Sequence, residues 1–425
     1  MPTEACPAAP TCATAQSRRS VTAFWIAVAL LVFSVGSSAL PSPLFPVYAE
    51  EWRLSPIGLT VAFAVYVVGL LGVLLVAGSV SDYVGRKPVL ALGTAGAVGA
   101  MALFMIASGP TTFIIGRVLQ GASVGLLLST LGATILDHSL ERRPALAGVL
   151  NGLVPPASLA VGAIASGALV QWAPAPKQLV YAVFGAMLLA LAIMLTAVPE
   201  TVKRHRGAVR SLTPAVQVPP TSRRLFRSVA GGLIASWALA GLYLSLVPSV
   251  LRFVFGLTNH FVTGALIALF AGCGAAAGGA LQRIGNRRQL FIGLLALVVG
   301  PVATVAFVVT AVLPGVVVGT AIAGLGFGAG FQAGLRMLLA TAPPEHRAEL
   351  LSAIYVVSYF AFGIPSVIAG VIAAVVGLLP AIVGYGAFVV LAASTALALQ
   401  ALPSGRSAAD EAADVVVEAE ARSTS

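Results

Sequence analysis

Long apolar runs recur along this chain of 425 residues and constrain its fold more than any other feature. A helix rises 1.5 Å per residue, so roughly 20 apolar residues cross the hydrocarbon core of a bilayer. Backbone polar groups find no water there, which favours helices over open strands. Twelve runs each predict a spanning helix, at about 21–44, 57–80, 88–108, 111–136, 145–171, 178–198, 228–254, 261–281, 289–310, 315–340, 350–375 and 378–402.

The composition agrees with a membrane protein. Hydrophobic residues make up 59% of the chain and charged residues only 9%, whereas soluble domains carry about a quarter charged residues. So few charges cannot cover a soluble surface, which excludes a water-soluble enzyme or a nucleic-acid binder. The cysteines Cys6, Cys12 and Cys273 show no metal-ligand spacing and no disulfide framework. We expect a monomer that contacts membrane lipid and a small-molecule substrate, with no cofactor and no metal.

A polar, basic stretch from Pro199 to Arg227 divides the apolar runs six and six. Short loops join the other runs. The sequence therefore predicts an N-terminal tail at 1–20, a six-helix bundle at 21–198, a linker at 199–227, a second six-helix bundle at 228–402 and a C-terminal tail at 403–425.

Lysine and arginine are distributed unevenly between the two sides of the predicted bundle. Of 24 such residues, 19 fall on the side of the termini and the central linker, and Arg53, Lys177 and Arg252 fall on the other. Arg117 and Arg336 lie within spans. The positive-inside rule then places both termini in the cytoplasm, with the chain in the plasma or inner membrane.

The two halves repeat each other at shifts of about 200 to 204 residues. Such parallel repeats form a central cavity between two bundles that can open to either side of the membrane. We therefore predict an all-α membrane protein made of two parallel-repeat six-helix bundles. The matched glycines are Gly78 with Gly278, Gly85 with Gly285, Gly116 with Gly319, Gly121 with Gly324, and Gly125 with Gly328.

Two motifs resemble those of a known transporter family. The stretch G-S-V-S-D-Y-V-G-R-K-P at 78–88 resembles the cytoplasmic signature of the major facilitator superfamily, with Tyr83 where that signature usually has arginine. The stretch R-V-L-Q-G at 117–121 is similar to a motif of its drug:proton antiporter branch. The antiporter motif of span five is nearly absent around Pro155. The resemblance implies a secondary transporter that exports amphipathic molecules by alternating access, in exchange for protons.

The first motif predicts a gate at the cytoplasmic end of the bundle. Gly78 and Gly85 permit a tight turn and close helix approach. The resemblance implies that Arg86 pairs with Asp137, and that Asp82 faces the start of span eleven near Glu349. Such contacts would form while the inner side is closed and break when it opens. The alternative is that Arg86 and Lys87 only determine topology.

Arg117 lies about 9 Å inside span four, counted from Thr111. A charge inside the membrane is costly and suggests a function. Arg117 could bind an anionic group or bias a nearby acid in a proton relay. Alternatively, it snorkels to the outer surface or pairs with Glu50 or Glu51. Arg336 lies about one turn from the inner end of span ten, where snorkelling is easier.

Polar and aromatic residues within the spans are candidates for the cavity lining. Aromatic rings give broad contact with flat apolar compounds, and amides and hydroxyls orient them. No Asp or Glu lies well inside a span, so proton coupling is implied by the resemblance alone. Besides Arg117, the candidates are Tyr66, Gln120, Ser123, Asn151, Trp237, Tyr243, Gln332, Tyr355 and Tyr359.

We weigh three other functions against this pattern. One is a facilitator or symporter for a small organic anion, with Arg117 as its anchor. Another is a receptor or scaffold with a carrier-like body, although no loop is long enough for a signalling domain. An intramembrane enzyme is disfavoured, because no cluster of acids or histidines is embedded in the spans.

Overall fold

A computed structural model describes residues 10–140, 145–202, 205, 212, 216–343 and 346–401. The described residues include twelve helices that are long and apolar enough to cross a membrane. These helices are α1 Pro10–Ser37, α2 Pro56–Ala77, α3 Arg86–Met105, α4 Pro110–Asp137, α5 Ala145–Trp172, α6 Pro176–Leu195, α7 Pro220–Ser245, α8 His260–Ala280, α9 Asn286–Val309, α10 Leu313–Thr341, α11 Arg347–Val376 and α12 Leu378–Ala401. Some predicted segments lie outside the described residues, namely 1–9, the loop with Arg142 and Arg143, most of the linker and 402–425.

The sequence specifies many of the helix starts directly. Ser55 caps α2, with its hydroxyl accepting a hydrogen bond from the Gly58 amide at 3.2 Å. Pro56 follows at the first helical position, where the missing N–H costs nothing. Asn259 caps α8 by accepting from the Phe261 and Val262 amides.

The first helix of each half is interrupted, which the apolar runs did not reveal. α1 ends at Ser37 and is followed by a 3-10 turn at Ser42–Leu44 and a short helix at Phe45–Glu51. α7 ends at Ser245 and is followed by a short helix at Val247–Phe253. Proline lacks the N–H that an uninterrupted helix needs, and prolines stand at positions 41, 43, 46 and 248. The matching breaks support the internal duplication.

α7 begins earlier than the apolar run predicts. It starts at Pro220 instead of 228, so Arg223, Arg224 and Arg227 lie in its first turns and not in an extended linker. Hydropathy marks where the apolar residues begin, but a helix can continue past them when its charged side chains reach the membrane interface.

Helix packing follows the same plan in both halves. In the first, α4 packs against α2 and α3, α3 against α6, and α1 against α5. In the second, α10 packs against α8 and α9, α9 against α12, and α7 against α11. The halves meet through α5 with α8 and through α2 with α11, and these contacts frame a central cavity.

Matched glycines allow this packing. Gly85 has φ 107° and Gly285 has φ 87°, a left-handed conformation that side chains disfavour. A Cβ atom at Gly121 would overlap the Tyr66 backbone of α2, and a Cβ at Gly324 would overlap the Phe270 backbone of α8. The equivalent helix pairs therefore approach each other backbone to backbone.

Candidate functional site: a central cavity and two faces

The central cavity lies between the two halves and has a volume of about 120 Å³. Small-molecule sites usually measure roughly 300–1,000 Å³, so a drug-sized ligand would have to widen this one. None of the described carboxylates contributes to the lining. Its polar and aromatic members are Ser38, Phe63, Tyr66, Arg117, Asn151, Trp237, Phe327, Phe331, Gln332, Tyr355, Tyr359 and Phe362.

Trp237 of α7 is the centre of an aromatic cluster on the side of the second half. Its ring centroid lies 4.9 Å from that of Tyr359, 5.5 Å from Phe331 and 5.7 Å from Phe362. Phe63 of α2 packs on Phe362 at 4.8 Å, which extends the cluster across the two halves. Rings at mixed angles offer both faces and edges to a flat apolar ligand.

Arg117 is almost completely buried, with 1% of its surface exposed. Its guanidinium donates to the Ala62 oxygen at 3.2 Å and to the Phe63 oxygen at 3.3 Å. It also donates to Gln120 Oε1 at 2.6 Å, and it lies 4.6 Å from the ring centroid of Tyr66. Carbonyl dipoles and an aromatic face therefore take the place of water around this charge.

Both structural alternatives for Arg117 are wrong. Its burial excludes snorkelling. Glu50 pairs instead with Arg252, and Glu51 pairs with Lys177, each at 2.5 Å. The charge is thus held inside the first half without a carboxylate partner among the described residues.

The other candidates from α4 behave differently from Arg117. Gln120 holds Arg117 and donates to the Ser37 oxygen at 2.9 Å, but it does not line the cavity. Ser123 faces α3 at Gly96 and donates to its own helix at Leu119. A helix shows only one face to the cavity, and Ser123 lies on another.

Tyr243 also lies away from the central cavity, contrary to the prediction. Its hydroxyl donates to Thr320 Oγ1 at 2.9 Å and lies 3.3 Å from Thr304 Oγ1. Its ring stacks on Phe270 at 4.2 Å. The hydroxyl can therefore be satisfied inside the second half, and Tyr243 packs there as a core residue.

A charged cluster surrounds the α2–α3 turn, on what we call the basic face. Arg86 Nε lies 3.2 Å from Asp137 Oδ2, so this pair forms as the motif implied. Arg86 also pairs with Asp82 and donates to Ser81 Oγ at 2.7 Å. Lys87 Nζ donates to the Thr196 oxygen at the end of α6, 2.5 Å away.

One contact that the resemblance implies for a closed cytoplasmic side is not made among the described residues. The described carboxylate of Asp82 is bonded to Arg86 and not to the start of α11, where Glu349 pairs with His346 at 3.0 Å. The Asp82 side chain is half exposed. The Arg86 guanidinium therefore pairs with both Asp82 and Asp137.

Sequence reasoning missed Glu200. Its carboxylate accepts from the Arg86 amide at 2.9 Å and from the Lys87 amide at 3.0 Å, and so caps the start of α3. An anion is favoured at a helix N-terminus. Thr201 next to it donates to Asp137 Oδ2 at 3.0 Å. The only signal was an acid just past the sixth apolar run, and spacing alone did not place it at α3.

The opposite face, which carries Glu50 and Arg252, is closed by contacts between the halves. Besides the ion pair of these two residues, the His260 amide donates to Gln171 Oε1 at 2.9 Å. The ring of Trp172 lies 4.9 Å from that of Phe261. These contacts separate the cavity from the opposite face.

Comparisons with known proteins agree with this architecture. The family model of the Major Facilitator Superfamily matches residues 25–310. The multidrug resistance protein MdtL of Vibrio parahaemolyticus is 36% identical over 109 residues, which is 25% of this chain and 28% of that protein. MdtL of Escherichia coli strain K12 gives the same figures. The chain thus matches little more than a quarter of these relatives' length.

Solved structures share the fold at low identity. A bacterial homologue of the human lysosomal transporter Spinster, inward-facing and unoccupied, has a TM-score of 0.72 at 15% identity and covers 90% of this chain and 97% of its own. The human organic anion transporter MFSD10 has a TM-score of 0.65 at 16% identity, with 89% and 99% covered. The family model covers more than half of the chain, and twelve spanning helices among the described residues agree with it, so the chain belongs to the Major Facilitator Superfamily of transporters.

Proposed function

We propose that this transporter exports amphipathic, drug-like molecules across the cell membrane by alternating access. The observation that carries the proposal is the aromatic cavity between the halves, which is sealed from the opposite face and, in the part of the chain that the structure describes, lined by no carboxylate. The partial similarity to the multidrug resistance protein MdtL supports the same substrate class.

In the proposed cycle, the halves rock about the cavity. The basic face is the cytoplasmic one in this proposal, since it carries most of the lysines and arginines. Opening toward the outside breaks the Glu50–Arg252 contact and the packing of α2 on α11 near Thr60 and Gly370. The aromatic cluster releases its ligand when the two halves separate there.

Proton exchange drives export in this proposal. Its support is the similarity of residues 117–121 to the antiporter motif, with Arg117 beside the cavity. Arg117 would act by changing the proton affinity of a partner that enters with the substrate or from solvent, since the described cavity lining contains no acid.

Accumulation in a host that lacks its main efflux pumps tests the proposal. Cells expressing the protein should accumulate less of some compounds in a chemically diverse panel, and a protonophore should abolish the difference. The Arg117→Met variant should behave like empty cells at equal membrane abundance. Equal accumulation of every compound would contradict the transporter proposal and favour the receptor alternative.

A cysteine pair tests the alternating-access step. A Cβ built at Gly370 lies 2.9 Å from Thr60 Cβ, closer than the roughly 3.5–4.5 Å of a disulfide, so α2 and α11 must move apart by about 1 Å for cysteines at these two positions to bond. In a chain without its native cysteines, Thr60→Cys with Gly370→Cys should stop transport on oxidation and restore it on reduction. The two single variants serve as controls. Full transport by the crosslinked protein would contradict opening at this face.

Reporter fusions test the proposed orientation. A cytoplasm-active fluorescent protein at the C-terminus should be bright, and alkaline phosphatase at that position should be inactive. Phosphatase inserted near Arg53, on the opposite face, should be active. The reverse pattern would place the basic face outside.

A facilitator for a small organic anion is the second candidate. The observation that favours it is Arg117, a buried cation that lines the cavity without a carboxylate partner. The same panel separates the two functions, because a facilitator would increase uptake of an anion and a protonophore would not abolish the effect.

A further inference from the structure

We propose that Asn151 of α5 and Gln332 of α10 form a hydrogen-bond-accepting subsite, selecting uncharged aromatic substrates that carry an N–H or O–H donor. The inference rests on the proposed function only in treating the central cavity as the substrate site. Both residues line that cavity.

Asn151 has its donor engaged and its acceptor free. Its Nδ2 donates to the Gly132 oxygen of α4 at 3.0 Å. Its Oδ1 is buried and has no hydrogen-bond partner. The bond to a backbone carbonyl fixes the amide orientation, because only the NH₂ group can donate to a carbonyl oxygen.

Gln332 repeats this arrangement from the other half of the protein. Its Nε2 donates to the Gly152 oxygen of α5 at 3.0 Å, and its Oε1 is buried without a partner. A Cβ at Gly278 would overlap the Gln332 amide, so the glycine leaves room for this side chain between α8 and α5. Only 5% of Gln332 is exposed.

The two residues that carry these acceptors both lie at the junction of the halves. Asn151 adjoins Gly152, and a Cβ at Gly152 would lie 3.5 Å from Gln332 Oε1. A buried carbonyl oxygen without a donor costs free energy that a ligand donor can recover. Two such oxygens beside one aromatic cavity therefore select a ligand that brings a donor.

The charge of the cavity limits the ligand further. Among the described residues, Arg117 is the only charged one that lines the cavity, and no described carboxylate pairs with it. A cationic donor would be repelled in this low-dielectric space. An uncharged N–H or O–H group on a flat ring can donate to one of the two oxygens while its ring packs against the aromatic cluster around Trp237.

Gln332 also links recognition to the movement of the halves. Its bond to Gly152 joins α10 to α5 across the domain boundary. A donor bound at Oε1 holds the same side chain that bridges the halves. Occupancy of the subsite should therefore change how easily the halves separate.

Matched ligand pairs test the proposal on the purified full-length protein. Indole with 1-methylindole, and 2-naphthol with 2-methoxynaphthalene, differ by replacement of the donor with a methyl group. We expect calorimetric titration to show about tenfold tighter saturable binding of each donor compound. In Asn151→Leu with Gln332→Met this ratio should fall to about one, with the methylated compounds still bound.

Controls separate recognition from folding and from transport. Tyr243→Phe, outside the cavity, should keep the tenfold ratio. If the double variant does not fold, Gln332→Met is measured alone, and it should lower the binding ratio. A ratio near one in the wild type, a ratio that survives in a folded double variant, or no saturable binding would overturn the subsite. An intact ratio without export would overturn only the exporter proposal.

Discussion

The two halves of this transporter share a backbone plan but differ in the polar groups buried within it. In the first half, α4 carries Arg117, held by Gln120, by carbonyls of α2 and by the Ser38 carbonyl just after α1. In the second half, the position that a shift of 203 residues aligns with Arg117 is Thr320, bonded to Tyr243. The backbone arrangement that the two halves share therefore accommodates either a buried charge or a neutral hydroxyl cluster at equivalent positions. Duplication explains the fold, and divergence of these residues explains the site.

The basic-face ends of the halves differ in the same way. Arg86 of the first half joins Asp137, whereas Arg336 of the second donates to Asn286 at 3.1 Å and to Gln289 at 2.5 Å. The first cluster is an ion-pair network and the second is a cation held by neutral amides. Charge pairs can be made and broken with solvent access, so the first half is the better candidate for a gate.

Removing the buried cation should have the largest effect. Arg117→Met should reduce transport by about 100-fold or more without lowering the melting temperature, because a buried charge without a carboxylate partner costs stability even when carbonyl oxygens surround it. Transport assays and thermal unfolding in matched detergent measure both quantities. Tyr243→Phe removes the hydroxyl that bonds Thr320 in the second half, and it should cost about 1 kcal/mol of stability and leave transport intact. Parallel losses of stability and transport in Arg117→Met would assign Arg117 a structural role.

Filling the glycine contacts should affect both halves alike. Gly121→Ala and Gly324→Ala each place a Cβ against the backbone of a neighbouring helix, so each should cost about 1–3 kcal/mol of stability. Thermal unfolding of the two variants measures the cost, with Gly132→Ala, where the space is open, as control. A large effect in only one half would break the equivalence of the two skeletons.

The basic-face clusters should respond unequally to neutralisation. Arg86→Gln should slow transport about tenfold, since it releases Asp82 and Asp137 together. Arg336→Gln leaves two neutral amides and should change transport less than about twofold. Transport rates measured at equal membrane abundance compare the two arginine variants. We expect Asp137→Asn to resemble Arg86→Gln. Equal rates for the two arginine variants would argue against a gate specific to the first half.

The smallest effect is expected at the opposite face. Glu50→Gln removes one exposed ion pair with Arg252, and such pairs are worth about 0–1 kcal/mol. The labelling rate of a cysteine introduced next to the cavity should rise slightly in this variant. High salt should produce the same rise when the Glu50 side chain is unchanged. Glu51→Gln, which breaks a pair within the first half, serves as control. A change of more than about tenfold would mean that this ion pair dominates closure.

The sequence was most informative where a physical constraint acts on many residues at once. Twelve apolar runs located the twelve helices because every span must meet the same length and polarity requirement. The repeated glycines Gly121 and Gly324 indicated close packing because only glycine fits there.

The site was less predictable because it depends on where single side chains point. Ser123 and Tyr243 share a polar character with Asn151 and Gln332, and only the three-dimensional packing separates core from cavity. Glu200 could not be assigned to the start of α3, since nothing in its neighbourhood along the chain fixes how α6 returns to α3.

The attachment of Glu200 has a practical consequence for dividing the molecule. Glu200 and Thr201 are held by α3 and α4, and the His205 amide donates to the Tyr83 oxygen at 3.0 Å. The beginning of the linker is thus a part of the first bundle. Two separately translated fragments should reassemble best when the break follows His205, whereas a break just after α6 would leave the start of α3 without its carboxylate.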